Sequence, residues 1–451
     1  MGHHHLKHGL DIPIAGGASG APVDMMSPPT VGIDPRELRG FIPRLDAREG
    51  DRVKRGQKVF HHKFNERLAV VAPVSGTVKA VNRGKRRVIT SFVITPDGDD
   101  VVQHRTWSAT ELASISRDDA LGQMLDGGVF PLLRTRPLDH VADPDDTPQA
   151  ILICGTATGP LEGDAAVLMS ADDNEALQAG VNVLAALTDG TVHLSTTKGA
   201  SHAAFEGLTG VTTHEFSGPH PSGDPAVQIS MIDAPRAGQK VWYLHAWDAV
   251  LVGRLFLTGQ YDGTRTYAAV GAALSTPRFV RTVQGAPASW VAGDTSANDV
   301  RWIRGTVLTG ATIAADEPAG FYTRVVHALP EAVDRYMFGW AMPALSRWSF
   351  HKAFLKAWGG GDKTYDLRPG IYGGHRAIVP VGYYNDVVAT PDIVPDFLFK
   401  AIIAGDLERS IKLGMLDISE EEAALCSYIC PSKIDFDVIL REGLENYAKE
   451  M

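Results

Sequence analysis

Two cysteines near the carboxyl terminus have the spacing of iron–sulfur ligands. Cys426 and Cys430 are followed by a proline, and this C-x3-C-P spacing equals the last two ligands of the ferredoxin run C-x2-C-x2-C-x3-C-P. The first two ligands would fall at Glu420 and Ala423, and neither side chain supplies a thiolate. The third cysteine, Cys154, lies in a predicted buried strand far from this pair in the sequence. We therefore expect no cluster and no bound metal in this chain, and a reducing compartment.

A glycine-led loop followed by two arginines has the residue types of an anion site. Residues 126–137 read D-G-G-V-F-P-L-L-R-T-R-P, so Phe130 lies in the loop and Arg134 and Arg136 come after it. Glycines allow a close backbone approach to an anion, and arginines can pair with it. Two interpretations stay open: the arginines pair with acidic groups inside their own domain, or they face an anionic partner surface or a quinone headgroup.

A second candidate contact is a histidine between two prolines. His220 lies in S-G-P-H-P-S-G at residues 217–223, where the prolines fix φ. A structured crossover turn is one interpretation of this segment, and contact of His220 with a ligand or a partner is the other.

Hairpins are predicted in the N-terminal part of the chain, residues 1–105. Turn signals at residues 50–51 and 55–56 flank a short alternating segment, and A-P-V-S-G-T-V follows at residues 72–78. This order of motifs resembles the biotinyl/lipoyl-type barrel-sandwich hybrid, in which a hairpin tip presents a modified lysine. Lys63 stands at about that position. The methionines that flank a biotinylated lysine are missing, so the resemblance implies a scaffold or docking surface.

Residues 106–260 are predicted to form a Rossmann-like α/β domain. Residues 150–156 are a continuous apolar run, residues 174–187 have helical apolar spacing, and residues 191–196 supply the next strand. The glycines at residues 155 and 159 lack the G-x-G-x-x-G spacing that seats a pyrophosphate. A nicotinamide-dependent soluble oxidoreductase is therefore disfavoured.

Two further regions complete an α+β multidomain architecture. Residues 261–330 alternate short strands with glycines and resemble a β-grasp (SLBB-like) module. Residues 331–451 turn helical from about residue 395, where Asp406 and Ser419 are predicted helix caps. This C-terminal region resembles a ferredoxin-like helical framework without its cluster.

Composition and charge exclude several classes of function. The 451 residues include 43 basic and 53 acidic side chains, a net charge of −10, and no basic run stands out, so we predict no nucleic-acid partner. The most apolar stretch, residues 241–258, carries His245, Asp248 and Arg254, which a membrane span would not tolerate unpaired. No apolar signal segment opens the chain, so we expect it in the cytoplasm.

Taken in order, these parts resemble the A-subunit family of the sodium-translocating NADH:quinone oxidoreductases, which is related to the C subunit of the Rnf complex and the flavoprotein subunit of complex I. Two segments depart from the family pattern: the histidines of residues 1–5, which we do not count as ligands, and residues 222–228, which lack a second histidine. The blocks that carry the resemblance are residues 9–16, 50–57, 81–84, 133–137, 216–221, 255–259, 277–283, 305–310, 338–343, 379–382 and 425–431.

The resemblance implies that the chain is a peripheral component on the cytoplasmic face of the bacterial inner membrane. It implies an enzyme that oxidises NADH, reduces ubiquinone and exports sodium ions, with FAD, FMN, riboflavin and iron–sulfur centres in the other membrane and peripheral subunits. It implies no catalytic residue and no cofactor in this chain. Phe130, Arg134, Arg136 and His220 are our candidates for contact with quinone or with a partner. Because an isoprenoid tail needs an apolar entrance, we expect quinone contact where the chain meets its membrane partner. The alternative is a cofactor-free scaffold without quinone contact.

Overall fold

The computed structural model describes residues 2–235, 238–331, 338, 348–358, 364–367 and 382–450, which contain four β-sheets and the helices around them. Two predicted family blocks, residues 338–343 and 379–382, lie outside the described residues except for Phe338 and Gly382. The strands in chain order are β1 (Gly2–His5), β2 (Val23–Asp24), β3 (Val31–Ile33), β4 (Pro43–Leu45), β5 (Arg52–Val53), β6 (Lys58–His62), β7 (Asn65–Val71), β8 (Gly76–Arg83), β9 (Ile89–Pro96), β10 (Arg134–Arg136), β11 (His140–Val141), β12 (Ala150–Cys154), β13 (Thr191–Thr197), β14 (Thr212–Ser217), β15 (Val241–His245), β16 (Thr264–Val270), β17 (Arg278–Val283), β18 (Val300–Arg304), β19 (Ala311–Ile313) and β20 (Val325–Pro330). The α-helices are α1 (Ala109–Leu112), α2 (Arg117–Asp126), α3 (Ala165–Leu168), α4 (Asn174–Ala185), α5 (Pro225–Asp233), α6 (Ala246–Thr258), α7 (Ala288–Ala292), α8 (Pro395–Ile403), α9 (Leu407–Lys412), α10 (Glu420–Ile429) and α11 (Phe436–Glu450).

A seven-stranded sheet in the order β1-β14-β13-β12-β15-β10-β11 forms the centre of the α/β domain. Strands β12 to β15 are parallel, and β12 is buried along its whole length, as its continuous apolar run predicts. Helices α4 and α6 pack closely together. A Cβ atom at Gly180 or Gly253 would lie 2.2 Å or 1.7 Å from a carbonyl oxygen of the other helix, so this contact requires glycine at both positions.

The opening residues belong to this sheet. β1 pairs in parallel with β14, whereas the predicted boundary at residue 105 grouped residues 2–5 with the N-terminal domain. The histidines there contact the neighbouring strand: His3 forms an ion pair with Glu215 at 2.9 Å, and the ring of His4 stacks on Phe216. The difference arises because strand pairing joins segments that are far apart in sequence.

Two small sheets form the N-terminal domain, with the orders β3-β9-β8-β5 and β4-β6-β7. Val53, predicted to point inward, is fully buried, as are Phe60 and Phe92. Strands β6 and β7 form the predicted hairpin, and Lys63 and Phe64 form its tip.

A six-stranded sheet, β19-β18-β20-β16-β17-β2, and the C-terminal helices complete the fold. The predicted caps are confirmed: Asp406 accepts a hydrogen bond from a backbone N–H of α9, and Ser419 forms a capping box with Glu422 at the start of α10. The apolar residues 241–258 form β15 and α6, whose side chains are largely buried. Within the described part of the chain, no helix is both long and apolar enough to cross a lipid bilayer.

Candidate functional site

A crevice of about 540 Å³ opens at the carboxyl ends of β12 and β15. The chain runs from β12 to β13 and β14 on one side, and it then returns to β15 on the other side of β12. Open α/β sheets bind ligands at such a reversal of strand order. The wall comes from several domains and includes Thr158, Glu162, His220, Tyr243, His245, Thr306, Thr309, Tyr322, Glu420 and Glu421.

Arg134 lies in this crevice between two tyrosine rings. Its guanidinium carbon is 4.6 Å from the ring centroid of Tyr243 and 4.7 Å from that of Tyr322. Both rings are fixed by their hydroxyl groups: Tyr243 donates to Asp139 at 2.7 Å and Tyr322 donates to the carbonyl of Pro131 at 2.6 Å. The Arg134 side chain has no hydrogen bond or ion pair with any residue that the structure describes, so its N–H groups remain available to a ligand.

Arg136, two residues further along β10, has different surroundings. It is 2 % exposed, forms an ion pair with Asp139 at 3.2 Å and donates to the carbonyl groups of Leu416 and Ile418 at 2.9 and 3.0 Å. Burial alone would raise the pKa of Asp139, but Arg136 and then Arg134 lower it to about 2. For Arg136, therefore, the interpretation of an internal acidic partner is correct.

Phe130 belongs to the protein core and not to the crevice. Its side chain is fully buried and meets the ring of Trp242 edge to face, with the centroids 5.7 Å apart. The loop that carries Phe130 therefore turns its aromatic side chain into the α/β domain.

His220 lies in a structured turn and also faces the crevice. Its backbone N–H donates to Asp11 at 2.9 Å, its Nδ1 atom lies 3.2 Å from the hydroxyl of Thr158, and its Nε2 atom lies 3.4 Å from Glu421. Burial alone would lower the pKa of His220, but Glu421 raises it above its ordinary value. The segment is therefore a structured turn whose histidine lies beside acidic neighbours of the same chain, and contact of His220 with a ligand or a partner stays a prediction.

Two further carboxyl groups of the crevice titrate near neutral pH. Burial, with the Glu421 carboxylate adding to the effect, raises the pKa of Glu162 to about 7. Burial and the neighbouring Glu422 likewise raise the pKa of Asp224 to about 7. The described ranges place no group of three or more histidine, cysteine, aspartate or glutamate side chains where they could hold a metal ion.

A second cavity, which we call the tip groove, lies beside the β6–β7 hairpin and has a volume of about 360 Å³. Phe41, Phe64, Leu68 and Leu138 contribute apolar walls, and Arg136 lies at its edge. Phe64 is 73 % exposed and the neighbouring Ile42 is 49 % exposed. Lys63 occupies the tip, as the sequence predicts, with its ammonium group 5.0 Å from the Phe64 ring.

The sequence did not reveal most of the crevice wall. No catalytic or ligand-binding motif surrounds Tyr243, Tyr322, Glu162, Asp224 or Glu421, and their segments are predicted only as strand, loop or helix start. One sequence feature indicated where the crevice lies. It was the buried parallel strand that ends at residue 154, because such sheets bind ligands at the carboxyl ends of their strands.

Comparisons with known proteins agree along nearly the whole length. Residues 4–97 match a family model described as NqrA N-terminal barrel-sandwich hybrid domain, and residues 115–261 match one described as NqrA second alpha/beta domain. The A subunit of the Na(+)-translocating NADH-quinone reductase of Neisseria meningitidis serogroup B is 34% identical over 451 residues, and that of Actinobacillus pleuropneumoniae serotype 5b is 34% identical over 449 residues. Each alignment covers 99% of both chains. A crystal structure of an NAD(+)-reducing NiFe hydrogenase aligns with 78% of this chain and 66% of its own at 12% identity and a TM-score of 0.36, from which nothing follows.

Proposed function

Since the chain belongs to the family of A subunits of the Na(+)-translocating NADH-quinone reductases, we propose that it is a peripheral component of such an enzyme on the cytoplasmic face of a bacterial inner membrane. Its similarity to these relatives extends over 99% of its length, which supports the same place in a multi-subunit oxidoreductase. We propose that FAD, FMN, riboflavin and iron–sulfur centres belong to the other subunits. Iron above trace level, or a flavin absorption band near 450 nm, in the purified chain would contradict this assignment.

We infer that the remaining regions have the folds that the sequence predicts. The six-stranded sheet with α7 is proposed to be the β-grasp (SLBB-like) module, and the C-terminal helices the ferredoxin-like framework. In α10 the two missing ligand positions have other roles that support this view. Glu420 forms ion pairs with Arg39, at 2.5 Å, and with Arg441, while Ala423 is fully buried. Glu420 thus links the C-terminal region to Arg39 of the N-terminal domain.

The finer proposal is that the chain contributes to quinone reduction at its interface with a membrane partner. The exposed pair Ile42 and Phe64 beside the tip groove is the observation that carries this proposal. Exposed apolar side chains of this size next to an apolar cavity indicate an interaction surface, and an isoprenoid tail requires such a surface. The lining of the crevice is more polar and includes five arginines, so it suits such a tail less well.

The four predicted contact residues divide under this proposal. Arg134 and His220 line the crevice, where a polar group could reach them. Phe130 and Arg136 are buried, and we propose that they hold the loop and β10 in place without touching quinone.

Photo-cross-linking of a reactive quinone to the intact complex, followed by mass spectrometry, tests the quinone proposal. We expect labelled peptides from residues 41–68 or from the segment that contains Leu138. Labelling confined to other subunits, together with normal turnover in a Phe64→Ser complex, would favour the scaffold alternative.

A further inference from the structure

We propose that the crevice is an anion site, in which Arg134 binds the carboxylate or phosphate group of a small ligand. This goes beyond the proposed function, because it concerns a polar ligand of the isolated chain and not quinone. The volume of about 540 Å³ is within the range of small-molecule sites, and the location is the reversal point of an open α/β sheet.

The rings of Tyr243 and Tyr322 contact the guanidinium group of Arg134. Its central carbon lies 4.6 Å from the ring centroid of Tyr243 and 4.7 Å from that of Tyr322, and these two contacts fix its position. A guanidinium group donates its hydrogen bonds within its own plane, so ring contacts leave these donors unused. Arg134 is partly exposed to the crevice, so a ligand anion can replace the water at these donors with charge-assisted hydrogen bonds.

The other arginines that line the crevice differ from Arg134 in having carboxylate partners. Arg36 and Arg304 share Asp34 at 2.6 and 2.7 Å, Arg39 pairs with Glu420 at 2.5 Å, and Arg324 pairs with Asp248. Each of these cations therefore has a carboxylate partner within the protein. Arg134 has none among the described residues, although it lies in the same cavity.

Further hydrogen-bond donors lie near Arg134 at the start of helix α6. Helix α6 begins beside it, and the N-cap residue, His245, does not cap the first N–H groups with its side chain. The indole N–H of Trp247, in the first turn, is buried and has no partner among the described residues. The start of a helix favours negative charge, so these donors complement the arginine.

The acidic groups near the crevice do not occupy Arg134. Asp139 pairs with Arg136 and accepts a hydrogen bond from the Tyr243 hydroxyl. Glu421 contacts His220 and accepts a hydrogen bond from Thr309. Asp224 caps helix α5. An incoming anion therefore meets one unpaired guanidinium group, and the acidic side chains Asp139, Glu421 and Asp224 beside it already have other partners.

Isothermal titration calorimetry on the purified full-length chain tests the site. Inorganic phosphate, adenosine monophosphate and succinate are titrated separately at constant ionic strength, because salt screens such contacts. We expect one of them to bind with one-to-one stoichiometry. Preference for the first two would identify a phosphate group, and preference for succinate a carboxylate.

Variants locate the binding. Arg134→Met should weaken binding about tenfold or more, as expected for the loss of a charge-assisted hydrogen bond, and Arg134→Lys should weaken it less because the charge remains. Arg105→Met is the matched control, since Arg105 also stacks on an aromatic ring, that of Trp107, outside the crevice. Lack of binding by all three probes, or unchanged binding in both Arg134 variants, would overturn the proposal. If Arg134→Met does not fold, Arg134→Lys decides. Neither outcome bears on quinone, which is absent from the assay.

Discussion

The crevice and the tip groove border the same strand but differ in chemical character. β10 contributes Arg134 to the crevice and Arg136 to the groove. Five arginines and several carboxylates line the crevice. Aromatic and aliphatic side chains form much of the groove, whose lining also includes Asp143, Asp145, Asp146 and Lys240. Polar walls suit an ion that must exchange its hydration for hydrogen bonds, and apolar walls suit hydrocarbon. One small region of the molecule can therefore present two surfaces that select different ligands.

The two arginines show the same difference on the scale of single side chains. Arg136 is satisfied by Asp139 and by backbone carbonyls of the C-terminal region, so it joins domains. The Arg134 side chain is positioned by rings and bonded to no described residue. An arginine with internal partners contributes to stability, and one without them keeps its donors available for a ligand.

The largest expected effect comes from Arg136→Ala. This change leaves the carbonyl groups of Leu416, Asp417 and Ile418 without their arginine donor. Asp139 loses its ion pair and keeps the hydrogen bond from Tyr243, and we expect the free energy of unfolding to fall by about 3–5 kcal/mol. Arg134→Ala should cost about 1–2 kcal/mol at most, since it removes only ring contacts. Urea unfolding of the isolated chain measures both. Equal losses would mean that the two arginines do not differ as described.

The second-largest expected effect is a pH dependence of stability that arises from Glu162 in the crevice. The pKa of Glu162 is about 7 in the folded chain against about 4.5 when unfolded. The folded state therefore binds more protons between these values, and its stability falls as the pH rises from about 4.5 to 7. Glu162→Gln should remove the part of this fall that Glu162 contributes, while Asp224, whose pKa is also about 7, still contributes its own. The variant should gain on the order of 1 kcal/mol relative to wild type at pH 8, a value reduced for solvent screening.

Thermal unfolding of both proteins at pH 5.5 and pH 8 measures this difference. Glu408→Gln, at an exposed carboxylate of the C-terminal region, is the control and should change stability little at either pH. A Glu162→Gln variant that is no better relative to wild type at pH 8 than at pH 5.5 would contradict the assignment.

A third, smaller effect is expected on the KM for quinone when the exposed apolar residues beside the tip groove are replaced. Replacing Ile42 and Phe64 with serine should leave the melting temperature near that of wild type, because both side chains are exposed. In the assembled enzyme we expect the KM for quinone to rise about fivefold, which corresponds to about 1 kcal/mol of apolar burial. Val88→Ser changes another exposed apolar residue of the same domain and should have no effect. An unchanged KM in the double variant would remove the groove from the quinone step.

The smallest effect is expected at the hairpin tip. Lys63→Arg should retain full quinone reductase activity, since the sequence around Lys63 lacks the flanking residues of a carrier domain. Intact-mass measurement in the native host should show no lipoyl or biotinyl increment on the wild-type chain. Such an increment, or lost activity with assembly intact, would make the tip a carrier.

The sequence by itself determined the local elements and the lack of a four-cysteine cluster motif. Capping residues such as Asp406 and Ser419 act within one turn, so they fix helix starts without help from the rest of the molecule. The apolar run of β12 and the tip position of Lys63 are local in the same sense. The missing thiolates at Glu420 and Ala423 are a matter of residue identity, and no fold can supply them.

Only the tertiary structure decided which side chains meet. Arg134 and Tyr322 become neighbours because β10 joins the seven-stranded sheet beside β15, while residue 322 leads into β20 of the six-stranded sheet. The same packing gave Arg136 its carbonyl partners from the C-terminal region and brought Glu421 to His220. Residue periodicity reports which face of a strand or helix is buried, but it does not specify the order of strands in a sheet or the partner across a domain boundary. The unpaired arginine is a product of that order, because its charge is the same in every fold and only its neighbours decide whether it is satisfied.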